Sequence, residues 1–278
     1  MSVALFTLIL FLGALTAGFI GSLTGLGGGV VIIPMLTLLF NVDIRYAIGA
    51  SLISVIATSS GAASAYVKEG ISNIRIGMVL EIATTLGAVA GALLAVHLQT
   101  YLIAIIFGFI LMVSAGLSLR GRTTKPVTST SGALARWLQL NSYYPTPEGN
   151  VEYSVHQIPG GFFMMLLAGV VSGLLGIGSG ALKVIAMDTI MKLPFKVSTA
   201  TSNFMIGVTA AASTGVYLAR GYIDPGLCLP IVLGVLSGAL LGSKLLFKTR
   251  TNILRIIFAI VITFLAVEMI SKGFSERP

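Results

Sequence analysis

The stretch Gly25-Leu26-Gly27-Gly28-Gly29 occurs a second time, 151 residues later, as Gly176-Ile177-Gly178-Ser179-Gly180. Each copy lies between two long apolar segments, where so much glycine is unfavourable for an uninterrupted helix. The same spacing aligns other residues without a gap: Gly18 with Gly169, Ser51 with Ser202, Thr58 with Thr209, Tyr66 with Tyr217, Gly87 with Gly238 and Gly91 with Gly242. The chain therefore contains a duplicated unit, with one glycine-rich turn in each copy.

The composition places both units in a membrane. Of the 278 residues, 56% are hydrophobic and only 9% are charged, whereas a soluble domain carries about 25% charged residues. Several nearly charge-free runs approach the ~20 residues that a bilayer span requires. We therefore predict a multi-pass protein in a lipid bilayer. Its first run, residues 2–22, lacks a basic start and is expected to be a retained helix.

Charge and cysteine content exclude several other classes of function. The net charge of +8 is spread over short loops between apolar runs, so membrane topology explains it better than a nucleic-acid partner. The single cysteine, Cys228, excludes an intramolecular disulfide and a cysteine-based metal cage. The sequence shows no catalytic constellation and no phosphate-binding loop that ends in Gly-Lys-Ser/Thr. We predict neither an enzyme nor an ATP-driven motor, and no cofactor or metal.

The predicted fold is all-α, with two inverted repeats of five membrane segments. The segments are 2–22, 30–40, 47–67, 76–97 and 102–119, then 161–175, 181–191, 199–219, 226–247 and 253–271. The second segment of each repeat has about 11 residues, or roughly 16 Å of helix, about half the hydrocarbon thickness. We assign the repeats to residues 1–119 and 161–278, and a polar cytoplasmic linker to residues 120–160.

The linker is expected to hold a short amphipathic helix within residues 133–140 and irregular chain around Pro145 and Pro147. It either joins the repeats or also makes a gating or regulatory contact.

The distribution of basic residues predicts the topology. If each half crosses the membrane an odd number of times, 12 basic residues lie on one side and 4 on the other, with Lys183 inside the membrane. If the short segments re-enter instead, the division becomes 9 against 7. The positive-inside rule favours the odd number, with the linker in the cytoplasm and both termini outside. An odd number of crossings also makes the second repeat inverted relative to the first.

Each glycine turn is a candidate anion site. Glycine lets the backbone turn sharply and approach a ligand, and the helix that follows presents free N–H groups and a positive dipole end. Two such ends would face each other near the midplane of inverted repeats. The candidate substrate-binding residues are Gly27, Gly28, Gly29, Val30, Gly178, Ser179, Gly180 and Ala181. The alternative is that these glycines only permit close helix packing.

Two charged residues inside apolar segments are further candidates. Lys183 follows the second turn by three residues, and a lysine in hydrocarbon is costly and usually functional. We expect it to supply a fixed positive charge for an anion, unless it snorkels to the interface or pairs with Asp188. Glu81 is a candidate for proton coupling, with placement near Arg75 at the interface, or a structural hydrogen bond, as the alternatives.

Hydroxyl and amide groups on the third segment of each repeat complete the predicted site. Such groups donate hydrogen bonds to an oxyanion without adding charge. The candidates are Ser51, Thr58, Ser202, Asn203 and Thr209, and the alternative role for them is interhelical hydrogen bonding.

The two glycine phrases resemble a known family. The strings GSLTGLGGGVVIIP at residues 21–34 and SGLLGIGSGALK at residues 172–183 are similar to the two signatures of the sulfite exporter family, TauE/SafE. The resemblance covers both repeats. It implies transport of small sulfur-containing oxyanions such as sulfite, sulfonates or sulfoacetate across a cytoplasmic membrane, with export as the expected direction and without ATP hydrolysis. A passive anion channel is the alternative, and a membrane enzyme or assembly factor is a weaker one.

Overall fold

The computed structural model describes residues 3–24, 27–119, 133–146, 149–246 and 251–275, and these form a helical bundle with one small hairpin. The first repeat holds α1 (Val3–Thr24), α2 (Gly29–Pro34), α3 (Ile44–Lys68), α4 (Ile74–His97) and α5 (Thr100–Leu119). The linker holds α6 (Ala133–Trp137), β1 (Ser142–Thr146) and β2 (Gly149–Tyr153). The second repeat holds α7 (Ile158–Leu175), α8 (Gly180–Ile185), α9 (Phe195–Ala219), α10 (Pro225–Leu246) and α11 (Thr251–Ser275).

Each of the ten predicted segments is helical, and the predicted and observed ends differ by at most four residues when the π-helical turns after α2 and α8 are counted. Five of the described helices are long and apolar enough to cross a membrane. The prediction of an all-α, multi-pass membrane protein is therefore confirmed. The short helices α2 and α8 each continue into one π-helical turn, Met35–Leu39 and Ala186–Ile190, so both reach about 11 residues, as predicted.

Helix packing repeats with the same 151-residue spacing. Helix α1 packs on α10, and its equivalent α7 packs on α4, which is the equivalent of α10. Gly18 lies against the backbone of Val235, and Gly169 lies against the backbone of Thr84. The two contacted residues, like the two glycines, are 151 residues apart. A Cβ atom at either glycine would collide with the facing backbone. The aligned tyrosines also make matching bonds, from Tyr66 Oη to the carbonyl of Ser22 (3.0 Å) and from Tyr217 Oη to that of Gly173 (3.2 Å).

Equivalent helices that touch each other run in opposite directions. On α5 and α11, Gly108 faces Ala266 and Ile270, whereas Gly273 faces Tyr101 and Ile105. Residue numbers therefore rise along one helix as they fall along the other. Helices α3 and α9 also cross each other in opposite directions. Ser59 Oγ on α3 donates to the carbonyl of Asn203 on α9, while Ala62, further along α3, clusters with the earlier Ala200.

The loops gather into two groups at opposite ends of the bundle. At one end, which we call end A, Arg45 donates to the carbonyl of Leu98 (2.9 Å) and Lys272 Nζ donates to Asn41 Oδ1 (3.1 Å). At the other end, end B, Asn73 Nδ2 donates to the Tyr153 hydroxyl (2.9 Å) and His156 N–H to the carbonyl of Met191 (3.1 Å). Phe6 at the start of α1 contacts Phe40 just after the π turn, with ring centroids 5.0 Å apart. The short segment therefore returns the chain to end A.

The linker contains an antiparallel hairpin where irregular chain was predicted. Strand β1 includes Pro145, which pairs with Asn150 of β2, so that prediction is wrong for the described residues. A two-stranded hairpin has only edge strands, and a proline is tolerated there because its missing N–H breaks no central ladder. The short helix predicted within residues 133–140 is present as α6. Pro147 and residues 120–132 lie outside the described residues.

Candidate functional site

The two glycine turns touch each other halfway along α3 and α9. Gly27 (φ +80°) lies beside the carbonyl of Ile177, and Gly178 (φ +71°) packs on Ile206 of α9 and Val55 of α3. Val55 and Ile206 are themselves 151 residues apart. Positive φ values favour glycine because a side chain would be strained there. Both turns therefore lie at mid-depth in the bundle, and Gly25 and Leu26 lie outside the described residues.

The helices after the turns begin differently. Gly28 accepts from the N–H groups of Val31 (3.1 Å) and Ile32 (3.3 Å) with ordinary right-handed geometry. Ser179, at the equivalent position, has φ +43°, and its hydroxyl donates to the carbonyl of Ala168 on α7 (2.5 Å). Val30 and Gly180 both line a crevice between the two turns. The backbone of Ala181 belongs to α8, but its side chain is outside the described part of the structure.

Most of the predicted hydroxyl and amide groups bond to backbone carbonyls. Ser51 Oγ crosses from α3 to the carbonyl of Gly176 in the opposite turn (2.7 Å), and Ser202 Oγ reaches that of Gly180 (3.4 Å). Thr58 Oγ1 bonds to Ser54 within α3 (2.8 Å), and Asn203 Nδ2 bonds to Thr199 within α9 (3.1 Å). Ser51 also lies against Gly29. In this conformation Ser51 and Ser202 hold the turns in place.

Lys183 lies in a buried polar cluster with Thr209 and Glu81. Its side chain is 0% exposed, and its Nζ donates to Thr209 Oγ1 at 2.5 Å. Thr209 Oγ1 is 2.6 Å from Glu81 Oε1, to which it donates. The second carboxylate oxygen, Glu81 Oε2, is 4.0 Å from Lys183 Nζ. The three residues come from α8, α9 and α4, so tertiary packing alone brings them together.

This arrangement corrects three alternatives from the sequence. Lys183 does not snorkel to the interface, because the bundle encloses it fully, and the carboxylate it pairs with is Glu81 rather than Asp188. Glu81 is also buried, and Arg75 instead bonds Gln139 of the linker at an exposed position. Sequence reasoning treated Lys183 and Glu81 separately. The available signal was that opposite charges inside membrane segments usually pair.

The cluster joins residues of both repeats, and the duplication supplies no second charged cluster. The positions 151 residues before Lys183 and Thr209 are Ile32 and Thr58, and the position 151 after Glu81 is Val232. Backbone packing is thus repeated, but the charges are not.

Two cavities lie near these elements. The crevice between the turns, lined by Val30, Val171, Ser179, Gly180 and Ile262, has a volume of about 10 Å³, which suits one water molecule and no oxyanion. A second cavity of about 270 Å³ opens at end A and is lined by Thr37, Asn41, Asp43, Thr100 and Lys272. The mid-depth site is therefore closed in this conformation, whereas a polar vestibule exists at end A.

The linker covers the end B side of the cluster. Leu140, Tyr153 and Val155 are buried in one hydrophobic group with Leu80 and Met205, which are neighbours of Glu81 and Thr209. Asn73, the N-cap of α4, anchors this cover through the carbonyl of Leu140 (3.1 Å) and through Tyr153. Burial raises the pKa of the Tyr153 phenol, so its hydroxyl stays protonated at neutral pH.

The comparison with known families agrees with the fold. The family model for sulfite exporter TauE/SafE matches residues 10–269. The chain belongs to the TauE/SafE family. It is also similar to the probable membrane transporter protein YunE of Bacillus subtilis, with 30% identity over 96% of this chain and 98% of that protein. A second relative, the probable membrane transporter protein YdhB of the same organism, is 27% identical over 86% of this chain and 89% of that protein.

Members of the TauE/SafE family and these relatives are named as membrane transporters, not as enzymes. A probable membrane transporter protein of Xylella fastidiosa is 23% identical over 93% of each chain. No solved structure matches the chain. The chain is therefore a multi-pass membrane transporter.

Proposed function

We propose that this protein carries small sulfur-containing oxyanions, such as sulfite, sulfonates or sulfoacetate, across the cytoplasmic membrane by alternating access. The observation that carries the proposal is Lys183, a fully buried lysine three residues after a mid-depth glycine turn. Burying an ammonium is costly unless it has a partner or a role. The family name supports the sulfur chemistry of the substrate.

In this proposal the substrate binds between the two turns and Lys183. The backbone at Gly27–Val30 and Gly178–Ala181 faces its oxygens, and Lys183 supplies the charge. Ser51, Ser202 and Asn203 exchange their backbone partners for the substrate once the crevice between the turns widens. Thr58 and Thr209 flank the turns from α3 and α9. Widening is required, because the crevice has a volume of only about 10 Å³.

We propose that the repeats are inverted, with a two-fold axis in the membrane plane. The antiparallel packing of α5 on α11 supports this, because an axis along the membrane normal would make equivalent helices parallel. The two groups of loops support the odd number of crossings. Asn73, the linker residue Tyr153 and the α8–α9 loop meet at end B, the proposed cytoplasmic side. Arg45 and Lys272 lie at end A, the proposed outer side.

The first test is thermal stability of the detergent-purified protein with a panel of anions. Sulfite, thiosulfate, sulfoacetate and taurine are compared with sulfate, phosphate, acetate and chloride. A ligand at one hundred times its Kd stabilises the folded state by about 2.7 kcal/mol, and we expect one of the sulfur compounds to do so selectively.

The Lys183→Ala variant is expected to lose this ligand-dependent shift. The matched control is Lys196→Ala, which removes an exposed lysine from the start of α9 and should keep the shift. Because Lys183→Ala also leaves Glu81 without its charge partner, each variant is compared with and without ligand. An undiminished shift in Lys183→Ala would remove Lys183 from the site.

A further inference from the structure

We infer that in the empty protein the Glu81 carboxylate takes the place of the substrate anion beside Lys183. Each monoanion that binds is then accompanied by one proton on Glu81. This inference rests on the proposed function. It assigns the coupling ion and a stoichiometry to the same site. The substrate class it favours is a singly charged oxyanion, such as a sulfonate.

The geometry places Glu81 where a substrate anion would be. Thr209 bridges the pair, accepting from Lys183 and donating to Glu81 Oε1. Glu81 Oε2 accepts no hydrogen bond among the described residues, although it is buried and 4.0 Å from Lys183 Nζ. A buried carboxylate oxygen without a hydrogen bond is costly. This contact is therefore looser than an optimised structural ion pair.

The net charge of the cluster predicts that the binding of an anion is coupled to the binding of a proton. With Lys183 protonated and Glu81 ionised, the empty site is neutral. A monoanion that binds at Lys183 would leave one uncompensated negative charge in a dry interior, which is strongly unfavourable. If Glu81 takes one proton from water as the anion binds, the occupied site is again neutral. The proton then leaves Glu81 when the anion leaves, and no other bond is made or broken.

Few other ionisable groups lie near the pair among the described residues. Asp188 is buried on the π turn after α8, and Tyr153 of the linker accepts from Asn73. Helix α7, which packs on α4, carries no ionisable side chain. Helix α9 carries Lys196, which is exposed, and Tyr217, whose hydroxyl bonds to the carbonyls of Gly173 and Leu174. On α4 itself, Arg75 and His97 lie at the two ends of the helix. The charged side chain that faces Glu81 is Lys183.

The experiment measures binding of methanesulfonate to the detergent-purified full chain across a range of pH. Methanesulfonate is a monoanion that does not titrate near neutral pH, so any proton must come from the protein. If one proton binds with each anion, Kd rises about tenfold per pH unit wherever Glu81 is ionised in the empty site. In weakly buffered solution, a pH indicator should report the uptake of one proton per bound anion.

Two variants assign the proton to Glu81. Glu81→Gln is expected to bind methanesulfonate with the same Kd at every pH at which its Lys183 is protonated. Glu268→Gln removes an exposed carboxyl from α11 and should keep the wild-type slope. If Glu81→Gln does not fold, the slope and proton uptake of the wild type decide the question.

The outcomes separate the two proposals. Wild-type binding that needs Lys183 but is independent of pH overturns the proton coupling and leaves the proposed function intact. A pH slope retained in Glu81→Gln where Lys183 is protonated also overturns the role of Glu81. No binding of methanesulfonate at any pH, by the wild type or by Glu81→Gln, overturns this inference, and the anion panel then judges the proposed function separately.

Discussion

At the scale of single residues, Thr209 connects the two buried charges. Its hydroxyl accepts from Lys183 and donates to Glu81, and it also lies 3.0 Å from the carbonyl of Met205. Its equivalent in the first repeat, Thr58, donates to the carbonyl of Ser54 within its own helix. The chain therefore contains a natural control for the effect of removing one hydroxyl from the charged cluster.

Thr209→Val should destabilise the protein more than Thr58→Val. The substitution keeps the side-chain shape but removes a hydrogen bond to charged groups, which is worth about 1.5–3 kcal/mol. Thr58→Val removes a local bond to a backbone carbonyl and should cost about 1 kcal/mol or less. Denaturation of both variants in the same detergent measures the difference. Equal losses would mean that the Lys183–Thr209–Glu81 cluster contributes no special stability.

The pairing of Lys183 with Glu81 shows why sequence analysis stopped short of the cluster. The sequence identified both residues as unusual, because each interrupts an apolar segment. The two are 102 residues apart and are not related by the 151-residue spacing, so neither helical spacing nor the duplication brings them together. The depth of Lys183 was equally undetermined, since burial depends on how α8 packs against α9 and α4.

At the scale of helices, close backbone contacts at glycine hold α4 to α7 and α1 to α10. Gly173 lies directly on the backbone of Ala88, and Gly87 lies on that of Leu166. Such contacts between small residues are typical of membrane helices, where packing replaces the hydrophobic effect as the cause of association. Gly116, by contrast, has open space where a Cβ atom would lie, with no atom within 4 Å.

Gly173→Ala should separate α7 from α4, because the new Cβ would overlap the carbonyl of Ala88. Overpacking of this kind costs about 1–3 kcal/mol, sometimes more. Gly116→Ala should be neutral or slightly stabilising, since alanine is favoured over glycine in a helix by about 1 kcal/mol. Yield of monodisperse protein and its melting temperature compare the two. A Gly173→Ala protein as stable as Gly116→Ala would contradict the packing.

Element boundaries were predictable, whereas the linker hairpin was not. Hydropathy and the duplication set each membrane segment to within four residues, because lipid demands continuous helices with internally satisfied backbone groups. Outside the bilayer that constraint is absent. Pro145 predicts irregular chain, yet a proline is also compatible with an edge strand. The burial of Leu140, Tyr153 and Val155 against α4 and α9 then fixes the hairpin.

At the scale of the whole molecule, the two groups of loops predict opposite accessibility. Gln99 lies at end A beside Leu98, and Asn150 lies on the hairpin at end B, and both are exposed. In a Cys228→Ala background, Gln99→Cys should react with a membrane-impermeant thiol reagent added to intact cells. Asn150→Cys should react only after the cells are opened. Labelling of both sites from outside would contradict the placement of the two groups of loops on opposite sides of the membrane.

The unequal charge of the two halves has a consequence for the resting protein. A carrier built from two equivalent halves would have two end states of equal energy, each being the other with the halves exchanged. Here the Lys183–Glu81 pair has Ile32 and Val232 as its counterparts, so the exchange changes the energy. We expect the empty protein to be open mainly to one side of the membrane. The apparent affinity and rate of transport would then differ between the two sides of the membrane, while the gradients of the substrate and the coupling ion set the direction of net flow.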